Sequence, residues 1–205
     1  MSETDSTKEQ VRTYPPGGIK LAAAMRHLLM DKDFNSITTS EISREAGVNE
    51  ALIYRYFDDK RGLLHAVLAE YWSDFSNSLE RELKEIEGSR NKLRIIITRH
   101  IGVFNQDRVI AKILLLEVRN YPGYFSGDTY QVIKKYAKQL MNVIKAEQEN
   151  REIRSDIPAE RIRDIILGGI EHFCMTAVIF ERTMDTDSLV QDLCTLVFGG
   201  LQVDD

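Results

Sequence analysis

The stretch that decides the fold is residues 38–57, TTSEISREAGVNEALIYRYF. Thr38 and Glu41 have the spacing of a capping box, in which each side chain binds the backbone amide of the other residue, so a helix is predicted to start here. Gly47 stands where a helix ends on a left-handed residue, a conformation that glycine adopts cheaply. Asn49 is a favourable cap for a second short helix directly after it. Two short helices joined by a tight glycine turn form a helix-turn-helix.

The outward residues of the second helix are candidates for contact with DNA, because this helix of a helix-turn-helix lies in the major groove. Arg55 can donate two hydrogen bonds to guanine, and Glu50 can accept one from cytosine. Ala51 and Leu52 can pack on a thymine methyl group. The residues placed for contacts to the DNA backbone, which set register without reading sequence, are Thr39, Ser40, Tyr54, Tyr56 and Lys60.

Outside this stretch, apolar residues recur at helical spacing from Ile19 onward, and strand-like alternation is hard to find. The longest stripe runs from Leu63 to Ile86 and predicts one long helix that ends near Gly88. The chain is therefore expected to be all-α, with a three-helix head and a six-helix body. Polar residues and the Pro15-Pro16-Gly17-Gly18 sequence predict a mobile arm before the head. The predicted divisions are an arm at 1–18, a DNA-binding domain at 19–59 and an effector-binding and dimerisation domain at 60–205.

Composition bounds the class of protein without identifying it. The two cysteines, Cys174 and Cys194, are far apart in a chain without a secretory leader, which favours the reducing cytoplasm. No apolar run approaches the roughly 20 residues of a membrane span.

The formal net charge of −5 argues mildly against a strong nucleic-acid binder. The prediction of DNA binding therefore depends on the helix-turn-helix motif and not on composition. Lys8 and Arg12 either track a minor groove or belong to a disordered tail.

Two other classes of function are weighed against DNA binding. An enzyme is disfavoured because the sequence has no nucleophile elbow, no phosphate-binding glycine loop and no His-Glu-x-x-His helix. Its four histidines are too dispersed to suggest zinc, so no catalytic residue, metal or cofactor is expected. The remaining alternative is a helical dimer that uses its head as a protein-interaction module without sequence-specific DNA binding.

The segment from Ile19 to Tyr71 resembles the head of the TetR family of repressors. The residues that carry this resemblance are Ala22-Ala23, Phe34, Ile37-Thr38-Thr39, Ile42, Ala46-Gly47-Val48, Ile53-Tyr54, Tyr56-Phe57, Lys60 and Leu63-Leu64. The resemblance implies a long helix after the head and DNA contacts at the nine residues named above, from Thr39 to Lys60. Leu52 departs from the family pattern, which often has a small hydroxyl residue there, and Glu50 stands where the family often has Lys or Gln. The operator therefore cannot be borrowed from a relative.

The same resemblance implies a homodimer built by the last two helices and a small effector that releases DNA. The four-helix bundle is expected from 158–182 and 187–198 of each subunit, with Phe173, Leu193, Leu196 and Val197 near its seam. A two-fold dimer places its recognition helices about one DNA turn apart, roughly 34 to 36 Å or a little more, on a near-palindromic operator.

In the body, Leu115–Arg119, Ile144–Glu147, Arg151–Arg154 and Ile165–Gly169 are similar to TetR-family regulators of fatty-acid degradation that sense acyl-coenzyme A. Effector pockets are mostly apolar with a few polar anchors. The candidates to line one are Trp72, Phe75, His100, Phe104, Glu117, Arg119, Tyr121, Tyr136 and Phe173. Ordinary core packing explains the aromatic residues and the buried histidine equally well, and surface ion pairing explains Glu117 and Arg119.

Overall fold

The computed structural model describes residues 14–119 and 121–202, and this part of the chain contains nine α-helices and no strand. The all-α prediction is confirmed. The helices are α1 (Pro16–Asp31), α2 (Thr39–Ala46), α3 (Ala51–Phe57), α4 (Lys60–Glu85), α5 (Ser89–Gln106), α6 (Arg108–Ile113), α7 (Asp128–Glu149), α8 (Ala159–Ile179) and α9 (Thr186–Gly200). Short 3₁₀ turns occupy Phe34–Ser36 and Pro122–Ser126, and a π-helical turn, Leu114–Val118, continues α6.

Two compact units divide the chain between Ser73 and Asp74, within α4. The first unit, called the head below, contains α1, α2, α3 and the beginning of α4. The second, called the body, contains the rest of α4 and α5 to α9. The domain boundary after Asp59 that the sequence suggests stays a prediction.

The head is built around a small apolar core in which α1 packs on α2 and α3. Leu21 and Met25 of α1, Ile42 of α2 and Ile53 of α3 are wholly buried in it. These residues are spaced so that one face of each short helix is apolar, which is why three helices of this length can form a stable unit together.

Both ends of α2 are as the sequence predicts. The Thr38 side chain accepts a hydrogen bond from the Glu41 amide at 3.1 Å, and the Thr38 amide donates to the Glu41 carboxylate at 3.0 Å, which completes the capping box. Gly47 ends the helix with φ 62°. The Asn49 side chain accepts from the Ala51 amide at 2.8 Å and so caps α3. The helix-turn-helix is therefore confirmed in its local geometry.

The first helix begins earlier than the sequence suggests, because α1 starts at Pro16, inside the predicted arm. A proline in the first turn of a helix is favourable, since its fixed φ suits the helix and its missing amide has no partner there. The ring of Tyr14 lies 4.5 Å from that of Phe57, which fixes the entry to α1. Residues 1–13, with Lys8 and Arg12, lie outside the described residues.

In the body, α5 is the central element and packs on α6, α7, α8 and α9. Its residues Leu93, Ile96, Ile97 and Ile101 are wholly buried, as their helical spacing predicts. None of the helices within 14–119 and 121–202 is long and apolar enough to cross a membrane.

Candidate functional site

The recognition helix α3 has one face fixed in the head and one face open to solvent. Ile53 and Phe57 are buried, whereas Ala51, Tyr54 and Arg55 are exposed, Tyr54 by 54%. The Arg55 guanidinium carbon lies 5.8 Å from the centre of the Tyr56 ring. An exposed tyrosine and arginine on a short, well-anchored helix are available for contacts with another molecule.

Glu50, which directly precedes α3, is held by the first residue of α2. The Thr39 hydroxyl donates a hydrogen bond of 2.5 Å to the Glu50 carboxylate. Both residues were predicted to contact DNA. The structure brings them together, and their polar groups are hydrogen-bonded to each other. Ser40, the next predicted contact, is exposed beside them.

Leu52 and Tyr56 differ from the sequence prediction, because both are only half exposed. They lie against the start of α1, where a Cβ atom placed on Gly17 would be 3.1 Å from Leu52 Cδ1 and 3.8 Å from Tyr56 Cε2. The absence of a side chain at Gly17 thus lets α1 approach the recognition helix. Leu52 is therefore partly engaged in packing the head, which reduces the area it can present to a thymine methyl group.

The joint between α3 and α4 is tightly built. Asp58 ends α3 with φ 68°, which is unusual for a residue with a side chain. The Asp59 carboxylate accepts a hydrogen bond of 2.7 Å from the Gly62 amide and so caps α4. A Cβ atom on Gly62 would lie 1.8 Å from the carbonyl oxygen of Phe57, so only glycine fits there.

Lys60 also belongs to this joint. Its ammonium donates hydrogen bonds to the carbonyl oxygens of Phe34 at 2.9 Å and Ile37 at 2.7 Å. It lies 4.4 Å from the centre of the Phe34 ring. Lys60 was predicted to contact a DNA phosphate, whereas the structure directs its ammonium to the loop between α1 and α2, because two backbone carbonyls of that loop lie within its reach.

Several acidic residues of the head are engaged in short-range pairs. Lys32 donates to Glu41 at 2.7 Å, and this bond, together with those from Thr38, lowers the pKa of Glu41 to about 2. Glu45 lies 2.9 Å from His27. The Lys32 ammonium therefore offsets the negative charge of Glu41 on the surface of the head.

The body contains a cluster of ring side chains, called the aromatic cluster below, that consists of the buried His100, Phe104 and Tyr136 and the half-buried Phe75. Neighbouring ring centres are 5.2–5.5 Å apart, with His100 stacked on Phe104. The Tyr136 hydroxyl and His100 Nδ1 share a 2.8 Å hydrogen bond whose direction depends on the imidazole tautomer. Burial lowers the pKa of His100 to about 4, so the ring is neutral at physiological pH. These four residues were all predicted to line a pocket.

Arg119 binds Glu171 of α8 through both carboxylate oxygens, at 2.5 and 2.6 Å. The carboxylate raises the pKa of Arg119, and its charge also acts on the buried His100, raising the pKa of that ring against the effect of burial. Sequence reasoning missed Glu171. A signal was present, since Glu171 is the only charged residue between Ile165 and Ile179.

The remaining pocket candidates differ widely in exposure. Trp72 is buried in the head, Glu117 is half-buried on the π-helical turn, and Tyr121 and Phe173 are each about two-fifths exposed, at 39% and 40%. Within the described residues no group of histidine, cysteine and carboxylate side chains could hold a metal ion.

The last two helices leave large apolar side chains in solvent. Phe173 and Leu196, predicted at a dimer seam, are exposed by 40% and 67%. Leu193 and Val197 are already covered by their own chain, because α9 packs on α5 and α8 with that face. Two further apolar residues were not predicted at the seam, and each is 63% exposed: Ile165 within α8, and Phe180, the residue that follows the end of α8.

A capped helix-turn-helix with an exposed second helix, followed by a separate helical body, defines a DNA-binding transcription regulator. Residues 21–67 match the family model of the bacterial regulatory proteins of the tetR family, and residues 68–200 match that of the YsiA-like protein C-terminal region. The chain belongs to the TetR family. This assignment favours transcription regulation over the alternative of a protein-interaction module without DNA binding.

Several known proteins of similar length resemble this chain. The fatty acid metabolism regulator protein of Bacillus subtilis is 23% identical over 186 residues, which cover 91% of this chain and 96% of the relative. The structure of FadR from Bacillus subtilis in complex with stearoyl-CoA covers 90% of this chain and 99% of its own, with a TM-score of 0.80 and 22% identity. The fatty acid degradation regulator FadR from Bacillus halodurans covers 94% and 100%, with a TM-score of 0.81 and 21% identity. These relatives are regulators rather than enzymes.

Proposed function

We propose that this chain is a homodimeric repressor that an acyl-coenzyme A releases from a near-palindromic operator, and that it acts by binding alone in the cytoplasm. The proposal is carried by the similarity of this chain to FadR from Bacillus subtilis, whose structure holds stearoyl-CoA, together with the match of residues 68–200 to the YsiA-like C-terminal region. The aromatic cluster supplies apolar surface for an acyl chain, and Arg119 supplies a cation for an anionic group.

The proposed DNA contacts are made by the α3 surface and the residues beside it. Arg55 reads a base edge, and Tyr54 binds the DNA backbone, since both side chains project from the exposed face of α3. The wider set comprises Thr39, Ser40, Glu50, Ala51, Leu52 and Tyr56. Lys60 contributes indirectly, by fixing the loop that precedes α2.

The proposed dimer forms through the exposed apolar surface of α8 and α9. Ile165, Phe173, Phe180 and Leu196 are too large and too exposed to stay in water without a cost, and a second copy of the surface would cover them. A two-fold axis there relates the two recognition helices. Effector binding then acts by population shift, favouring a head separation that does not fit successive major grooves.

The test is a fluorescence anisotropy titration of DNA from the chain's own promoter region, with and without stearoyl-CoA. We expect a saturable complex that stearoyl-CoA dissociates and coenzyme A alone does not. Arg55→Ala should weaken binding and relax the base preference at one position of each half-site, whereas Tyr54→Ala should weaken binding to all sequences. Lys84→Ala, which removes an exposed positive charge at the far end of α4, is the control and should bind as the parent does. A complex that persists at saturating stearoyl-CoA would refute the effector assignment.

A further inference from the structure

We propose that Glu171 regulates effector binding: in the effector-free protein its carboxylate occupies Arg119, and the anionic group of the effector has to displace it. This inference rests on the proposed function, since it concerns the same site in the body. It assigns to Glu171 the role of an internal competitor that sets the effector concentration at which the regulator responds.

The geometry of the pair supports competition. Arg119 Nη1 donates to Glu171 Oε1 and Nη2 donates to Oε2, so both carboxylate oxygens bind the same edge of the planar guanidinium. A planar fork of this kind binds carboxylates and phosphates in the same way. An incoming phosphate that binds this edge must therefore take the place of the Glu171 carboxylate.

The position of Glu171 links the surface to the buried part of the site. Its side chain is 33% exposed and Arg119 is 50% exposed, so solvent and a charged ligand can reach the pair. On its inner side Glu171 is near enough to His100 for its charge to act on the buried ring, which belongs to the aromatic cluster. An amphipathic molecule that binds Arg119 with its anionic end would therefore bring that end within electrostatic range of the aromatic cluster.

The backbone that presents Arg119 is itself irregular. The residue directly follows the π-helical turn Leu114–Val118. Such turns are rare and occur frequently at functional sites. Glu171, on the other side of the pair, lies on α8 two residues before the exposed Phe173. Displacing its carboxylate therefore changes the charge balance of a helix that carries the proposed dimer surface.

The chemical class of the ligand follows from these features. A guanidinium fork favours a phosphate, and the adjoining rings favour an apolar chain. A phosphate-bearing acyl thioester has both parts. A neutral acyl thioester has only the apolar chain, and its binding should not depend on the charge of Glu171.

The experiment measures binding to the full-length protein by isothermal titration calorimetry with two probes, stearoyl-CoA and the neutral stearoyl thioester of N-acetylcysteamine. Glu171→Gln keeps the shape of the side chain and removes its charge, so we expect stearoyl-CoA to bind about two- to fivefold more tightly, the range for a partly exposed ion pair. Affinity for the neutral probe should not change. Glu160→Gln is the matched control, since it breaks another ion pair of α8, with Lys145 at 3.4 Å. It should leave both affinities unchanged.

Arg119→Gln supplies an independent variant if Glu171→Gln folds poorly. It should weaken stearoyl-CoA binding severalfold and spare the neutral probe. If the parent binds stearoyl-CoA but a folded Glu171→Gln variant binds it no more tightly, if Arg119→Gln leaves that affinity unchanged, or if both probes gain equally from Glu171→Gln, the competitor role is overturned and the proposed function stands. If the folded parent does not bind stearoyl-CoA, the proposed function is overturned, and this inference with it.

Discussion

The burial of His100 makes the stability of the body depend on pH. The imidazole is stacked on Phe104 and bonded to Tyr136, and desolvation lowers its pKa from 6.5 to about 4. As the pH falls, the unfolded chain therefore takes up this proton before the folded chain does. The contribution of the neutral ring is fully present above about pH 6.5 and is lost as the pH falls toward about 4.

The size of the effect follows from the difference between the two pKa values. About pH 5 lies roughly 1.5 units below the ordinary pKa of histidine in the unfolded chain. Each of these units corresponds to about 1.4 kcal/mol of folding stability lost. His100 should therefore account for a loss of about 2 kcal/mol between about pH 7.5 and pH 5. The substitution His100→Gln removes the titrating group and keeps a polar atom for Tyr136, so this part of the acid sensitivity should disappear.

Guanidinium chloride unfolding, followed by circular dichroism at fixed protomer concentration, measures this difference for the parent and the variant. The matched control is His172→Gln, which makes the same substitution at an exposed histidine of α8. The reasoning is refuted if His100→Gln loses as much stability as the parent does over the same pH range.

Three further substitutions test the joint and the dimer surface. Gly62→Ala should abolish operator binding while the body stays folded, because its Cβ atom would overlap the Phe57 carbonyl oxygen. Circular dichroism checks the fold and anisotropy checks the binding; a variant that binds the operator as the parent does would contradict the prediction. Lys60→Met should destabilise the head by about 1–3 kcal/mol and weaken binding to specific and random DNA alike, since two loop carbonyls lose a charged donor. Leu196→Glu should shift the protein from dimer to monomer in analytical ultracentrifugation, and an unchanged dimer would exclude this surface.

Local features of the fold were predictable from the sequence because they depend on residues a few positions apart. The capping box of Thr38 and Glu41 and the left-handed Gly47 lie within ten residues of one another, and each follows from backbone chemistry alone. Helix positions in the body likewise follow from apolar spacing. The start of α1 was missed although it too is local, because prolines and glycines usually interrupt a helix, whereas Pro16 stands in the first turn, where proline is favourable.

The site was less predictable because it depends on residues far apart in the sequence. Lys60 finds its acceptors 26 and 23 residues earlier in the chain, and Arg119 finds Glu171 52 residues later, so spacing gives no indication of either pair. On α9 the sequence shows which residues are apolar but does not separate the inner face, with Leu193, from the outer face, with Leu196. That separation depends on which neighbours the helix has already packed against.

The π-helical turn at Leu114–Val118 has a consequence for how chains of this kind can diverge. Such a turn accommodates one residue more than an α-helix does over the same rise. Because the wide turn absorbs its extra residue locally, deleting one residue there would restore regular winding and leave Arg119 close to its present place. This segment can therefore change in length by one residue while the guanidinium stays opposite α8.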